Sequence, residues 1–113
     1  MVEEIVGDPS KLSTFIKRNR IALVAYAPRN SNEWNYLKNL LSRLELRAGY
    51  LMSMAIADAS LLSNREDVTI RLYFNEVPIF EQKGLFGKHD LDYEALRRGI
   101  KDVLKRRSIK TLF

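Results

Sequence analysis

The chain has 113 residues, 46% of them hydrophobic and 29% charged, with a formal net charge of +5 and no cysteine. That length suits one compact domain spanning residues 1–113, whose core needs neither disulfides nor a metal, and the missing cysteine excludes thiol–disulfide exchange by any of these residues. No apolar run approaches the roughly 20 residues of a membrane span, and Met1-Val-Glu-Glu-Ile5 lacks the basic start and apolar core of a secretory leader, so a cytoplasmic, membrane-free protein is expected.

Asp8 is a good N-cap and Pro9 sits at the first helical position, where its missing N–H costs nothing. Leu12, Phe15 and Ile16 give that helix its apolar stripe as far as about Asn19. Ile21-Ala-Leu-Val-Ala-Tyr-Ala27 is a continuous apolar run of strand length. Pro28-Arg-Asn-Ser-Asn-Glu33 follows, and a helix from about Ser31 to Arg47 then carries Leu37, Leu40, Leu41 and Leu44 on one face. Gly49 is placed to end it as a left-handed terminator.

Tyr50-Leu-Met-Ser-Met-Ala-Ile-Ala57 reads as a second buried strand, and Asp58 as the cap of a short turn holding Leu61 and Leu62. Val68–Phe74 alternates as a strand, Asn75-Glu76 turns, and Val77–Lys83 returns. Pro78 cannot donate to a ladder, which puts the returning strand at a sheet edge. Gly84 and Gly87 bracket the exit. Asp90 is a candidate cap for the last helix, whose apolar face is Tyr93, Leu96, Ile100, Val103 and Leu104. The predicted class is α/β: a mixed sheet of four to five strands flanked by helices and closed by a ββα unit.

Strand, short loop and helix N-terminus is where thioredoxin-like proteins carry their Cys-x-x-Cys pair. Tyr26-Ala-Pro-Arg-Asn30 resembles the Tyr-Ala-Pro-Trp-Cys start of that site in protein disulfide isomerases, and Thr69-Ile-Arg-Leu-Tyr-Phe74 resembles the family's hairpin. The resemblance covers about Pro9 to Lys105 and implies a thioredoxin-like fold without its chemistry. Asn30 or Ser31 takes the nucleophile's position, and Glu33 or Trp34 the resolving one. The choice between them turns on one extra loop residue. Val24 or Ala25 replaces the buried carboxylate and Thr69 the cis-proline. A second alignment sets Val77-Pro78 against the Val-Pro of glutaredoxins, but it leaves Val68–Phe74 as a surplus strand.

In such folds the helix N-terminus, the loop before the hairpin and the adjacent turn form a shallow surface for extended polypeptide. By resemblance, Arg29, Asn30, Ser31, Asn32, Glu33, Trp34 and Thr69 would form it here, with a protein or peptide as partner. The plainer reading makes Asn30 and Glu33 a helix cap contributing ~1 kcal/mol and Trp34 a core residue.

Arg97, Arg98, Lys101, Lys105, Arg106, Arg107 and Lys110 concentrate positive charge at the C-terminal end, with Asp102 as the only acid among them. That pattern suits an anion such as nucleic acid, or a solvated face that complements the helix dipole. A glutathione-conjugating enzyme using Ser31 or Asn30 is a further alternative implied by fold variants. His89 is the only histidine, so a usual zinc site is not expected. Asp90, Asp92 and Glu94 read as dipole-favoured acids at a helix start. No cofactor or metal is expected. The tail residues Ile109, Leu112 and Phe113 fit packing on this domain or on a second copy.

Overall fold

The computed structural model describes residues 2–62 and 68–113. A five-stranded sheet has the order β1-β3-β2-β4-β5, with β1 Glu3–Ile5, β2 Ile21–Ala27, β3 Ser53–Asp58, β4 Thr69–Phe74 and β5 Val77–Lys83. The first three strands run parallel, while β4 is antiparallel to β2 and β5 to β4. Helices α1 (Pro9–Arg18), α2 (Asn32–Ala48) and α3 (His89–Arg106) complete the fold, with a 3-10 turn at Ala59–Leu61. This is the mixed α/β architecture expected from the element order.

Every residue of β2 is buried. Ala22, Val24 and Tyr26 face α1 together with Ile5, Leu12, Phe15, Ala55 and Ala57. Ile21, Leu23, Ala25 and Ala27 face the opposite way, into the leucines of α2 and Leu96, Ile100 and Leu104 of α3. A strand covered on both faces loses its polar alternation, which is why β2 and β3 read as continuous apolar runs.

Several local expectations needed correction. β1 is too short and acidic to register as a strand in the sequence. Glu3 pairs with Arg18 of α1 at 3.2 Å, while Glu4 accepts from the Trp34 indole N–H at 3.2 Å. β3 starts at Ser53, because the amides of Leu51 and Met52 still bond back to the Ala48 carbonyl. Gly49 has φ −63° and is not a left-handed terminator. α3 begins at His89 with Lys88 as an N-cap lacking a side-chain bond, so Asp90 lies inside the first turn. Val103 is only half-buried. The Asp8 and Asp58 caps form as expected, accepting from the amides of Ser10 and Ser60 at 2.9 and 3.0 Å.

The tail docks on its own domain. Phe113 enters the core cluster of α2 and α3, and the Leu112 amide donates to the Tyr50 hydroxyl at 2.6 Å. Pro78 sits exposed on the edge strand β5, opposite Tyr73, and β4 lies inside the sheet, which settles the hairpin alignment over the glutaredoxin one. Among the described residues, no helix is long and apolar enough to cross a membrane.

The β4–β5 turn places both Asn75 (φ 48°) and Glu76 (φ 71°) in the left-handed region, the signature of a type I′ hairpin turn. Asn accepts that conformation readily, whereas Glu carries a Cβ penalty. Glu76→Gly should therefore raise stability by about 0.5–1 kcal/mol in denaturant melts despite the flexibility it adds to the unfolded chain. Gly99 predicts the reverse. A Cβ there would lie 2.5 Å from the Phe80 ring, so Gly99→Ala should lose about 1–3 kcal/mol rather than gain the usual helix-propensity benefit.

Candidate functional site

β2 ends at Ala27, and Pro28–Ser31 turns the chain, with the Ser31 amide bonded to the Pro28 carbonyl at 3.3 Å. Asn30 takes φ 60° within this turn, a conformation that asparagine tolerates better than most residues. Ser31 is the N-cap: its Oγ accepts from the Trp34 amide at 3.1 Å and donates to the Pro28 carbonyl at 2.6 Å. The expected Asn30–Glu33 capping pair does not form, because Asn30 lies a residue before the cap.

Trp34 is 5% exposed and packs with Leu37, Leu41 and Ala25 in the α2 core. Of the two registers considered for this loop, the geometry therefore selects the one with Ser31 at the helix cap and Trp34 on its inner face. Ala25, rather than Val24, is the strand residue turned towards α2.

Beside this helix end lies an open groove of about 610 Å³, lined by Asn32, Glu33, Tyr36, Val68, Lys83, Gly84, Leu85 and Gly87. Three separate segments build it: the first two turns of α2, the residue entering β4, and the stretch from Lys83 at the end of β5 to Gly87. Arg29 and Asn30 are exposed on the neighbouring turn, and Asn32 and Glu33 line the groove itself. Thr69 is fully buried in the sheet between Tyr26 and Lys83, so it offers no backbone donor to an external peptide. The turn before it falls in residues 63–67, outside the described residues.

Sequence reasoning missed the group that shapes one wall. Asp92 is completely buried. Its carboxylate accepts the amides of Phe86 at 2.7 Å and Gly87 at 3.2 Å, and also the Tyr36 hydroxyl. It thus ties α3, the preceding loop and α2 together. Burial, followed by the bond to Asp92 and its charge, pushes the Tyr36 phenol up to about 12. Beside it, Arg43 of α2 binds Asp90 at 2.8 Å, meets His89 Nδ1 at 3.1 Å, and lies 4.0 Å over the Tyr93 ring. His89 is thereby part of the α2–α3 junction.

The other candidate surface is more neutral than its sequence. Arg97 is held by Glu94 at 2.9 Å, Arg98 approaches the same carboxylate at 3.5 Å, and Arg106 binds Asp102 at 2.8 Å. Arg107 stacks over Phe74 at 5.5 Å. Lys101, Lys105 and Lys110 remain exposed. Among the described residues, no three of His, Asp and Glu converge to hold a metal.

The fold has clear counterparts among solved structures. Oxidised thioredoxin from Plasmodium falciparum superposes with a TM-score of 0.66 at 11% identity, over 95% of this chain and 98% of that one. This is a thioredoxin-like fold. A cysteine-to-serine mutant of the Entamoeba histolytica protein gives 0.66 at 11% identity, covering 90% and 99%. An asparagine-to-glutamine mutant of Halobacterium salinarum thioredoxin gives 0.60 at 15% identity, covering 86% and 90%. No family model matches the sequence, and no curated protein matches it. In this thioredoxin-like fold the helix end that could present a thiol presents a serine hydroxyl with both its donor and one acceptor site engaged.

Removing the Asp92 carboxylate would strand the Phe86 and Gly87 amides. Asp92→Ala should cost about 2–4 kcal/mol in denaturant melts. It should also return the Tyr36 phenol towards the ordinary tyrosine range in an ultraviolet titration referenced to Tyr36→Phe. Because the folded phenol lies above its unfolded value, the stability it contributes is fully present below about pH 10. That contribution should fade as pH rises towards about 12, and Tyr36→Phe should remove this loss.

Proposed function

We propose that this chain is a non-catalytic thioredoxin-like binding domain whose groove at the α2 N-terminus accepts an extended segment of a protein partner. The observation that carries the reading is the groove's composition. Val68 and Leu85 supply apolar wall, while Gly84 and Gly87 carry no side chain to hold a ligand backbone away. The first amides of α2, at Asn32 and Glu33, have no earlier turn of helix to bond to and favour carbonyl or carboxylate groups. Exposed Arg29 stands beside them with its guanidinium fork. Buried Trp34 is absent from this surface, so recognition falls on Tyr36 and the loop instead.

Nothing favours thiol chemistry. Ser31 is engaged as a cap, Ala25 provides no carboxylate, and there is no cysteine. The nucleic-acid alternative draws less support, since Glu94 and Asp102 neutralise part of the basic face.

The test is a peptide selected from a random display library on the immobilised protein, followed by an NMR titration. The expected result is amide shifts centred on Asn32, Glu33, Tyr36, Gly84, Leu85 and Gly87. Asn32→Ala combined with Tyr36→Ala should weaken binding about tenfold or more. Arg98→Ala, Lys101→Ala and Lys105→Ala together should leave it unchanged. Failure to select any peptide, or sensitivity to the triple variant alone, overturns the proposal.

A further inference from the structure

β5 is an outer strand of the sheet, so half of its backbone groups point away from β4. Which half follows from the ladder. The Gly84 amide donates to the Val68 carbonyl at 2.8 Å, making that opposed pair a hydrogen-bonded one. Antiparallel pairs alternate between hydrogen-bonded and non-bonded. Gln82↔Ile70 is therefore bonded, while Lys83↔Thr69 and Glu81↔Arg71 are not. The N–H and C=O groups of Glu81 and Lys83 consequently face outward. Towards the hairpin the edge is closed by Pro78, which lacks an N–H, and by the register shift between Leu72 and Tyr73.

From this arrangement we infer that the Glu81–Lys83 edge pairs antiparallel with the same edge of a second copy of this chain, about a two-fold axis through Gln82. Two independent features select that register. The backbone requires outward-facing residues to oppose one another, and the axis through Gln82 sets Glu81 against the partner copy's lysine at 83 twice over. Each opposed pair exchanges two hydrogen bonds. The side chains supply the second feature: within one chain Glu81 is held by Arg71 at 2.6 Å and by Lys83 at 3.6 Å, and the same register sets the partner copy's lysine at 83 opposite it, so the carboxylate keeps a cationic partner across the seam. Moving the axis by one residue either way opposes Glu81 to its own copy or Lys83 to its own copy, which is repulsive. Only one register satisfies both demands.

Isologous contacts of this kind close at two copies.

Sedimentation equilibrium across the micromolar to millimolar range, with circular dichroism to verify folding, provides the test. The wild-type chain should dimerise. Lys83→Glu places acids opposite acids, Glu81→Lys places lysines opposite lysines, and each should weaken self-association about tenfold or more. An equimolar mixture of the two variants restores opposite charges at both pairs, so it should dimerise while each alone stays monomeric. Lys83→Pro removes one outward donor and leaves the β4 ladder intact, and it should also dissociate the dimer. A wild-type chain that remains monomeric throughout overturns the inference. So does a dimer indifferent to Lys83→Glu and Lys83→Pro, or a mixture that associates no better than its components.

Discussion

The molecule depends on one constraint: β2 is sealed on both faces and both edges. Its parallel pairing with β3 and antiparallel pairing with β4 engage its backbone on either side. α1 covers one face, and α2 with α3 covers the other. A strand so enclosed has almost no freedom to slip, because a shift of one residue would exchange the side chains of its two faces. Its end at Ala27 is therefore a fixed point. From there the Pro28–Ser31 turn and the start of α2 inherit their position, and with them one wall of the groove.

The inner side of that helix end keeps the thioredoxin-like scaffold with a serine, not a thiol, at the helix cap. A nucleophile there needs a free side chain at the cap and a proton acceptor behind it. Ser31 has its hydroxyl tied between Pro28 and Trp34, and the strand behind contributes Ala25. Polar organisation lies elsewhere. On the α1 face, the hydroxyls of Tyr26 and Tyr73 meet at 2.8 Å, and Arg71 contacts Tyr73 and binds Glu81 through two nitrogens at 2.9 and 2.6 Å. The Arg71 fork holds the Glu81 carboxyl below its ordinary range, while burial pushes the Tyr26 phenol above its own. These groups stabilise the face that the sheet presents beyond α1 rather than serving the groove.

Part of the basic charge of the C-terminal region is engaged within the domain. The i,i+3 pair Glu94–Arg97 and the i,i+4 pair Asp102–Arg106 staple α3 along its length. Arg106 and Lys105 also complement the negative end of its dipole. Exposed pairs of this kind add little stability, and they offset part of the positive charge of Arg97 and Arg106. Arg20 and Arg107 approach the Phe74 ring at 5.1 and 5.5 Å, joining the start of β2 to the end of α3. With Phe113 in the core, the terminus belongs to the packing of the domain.

How much of this was legible in the sequence depended on whether the signal was periodic or positional. The long elements were legible because burial imposes a period: β2 as an unbroken apolar run, α2 and α3 as stripes, and β5 as an edge from Pro78 alone. β1 was not, because Glu3 and Glu4 are exposed polar residues whose partners, Arg18, Trp34 and Lys38, lie far along the chain. The site divides the same way. That Asn32 and Glu33 lie at the helix end beside the groove was legible from the position of that end, a local feature. Asp92 was not distinguished from Asp90, because both are aspartates in the first turns of one helix. Two residues of helical rotation separate a carboxylate aimed outward at Arg43 from one buried beneath the Phe86 and Gly87 amides. What separates them is the loop folded back over α3, and a contact made by tertiary folding leaves no period in the sequence.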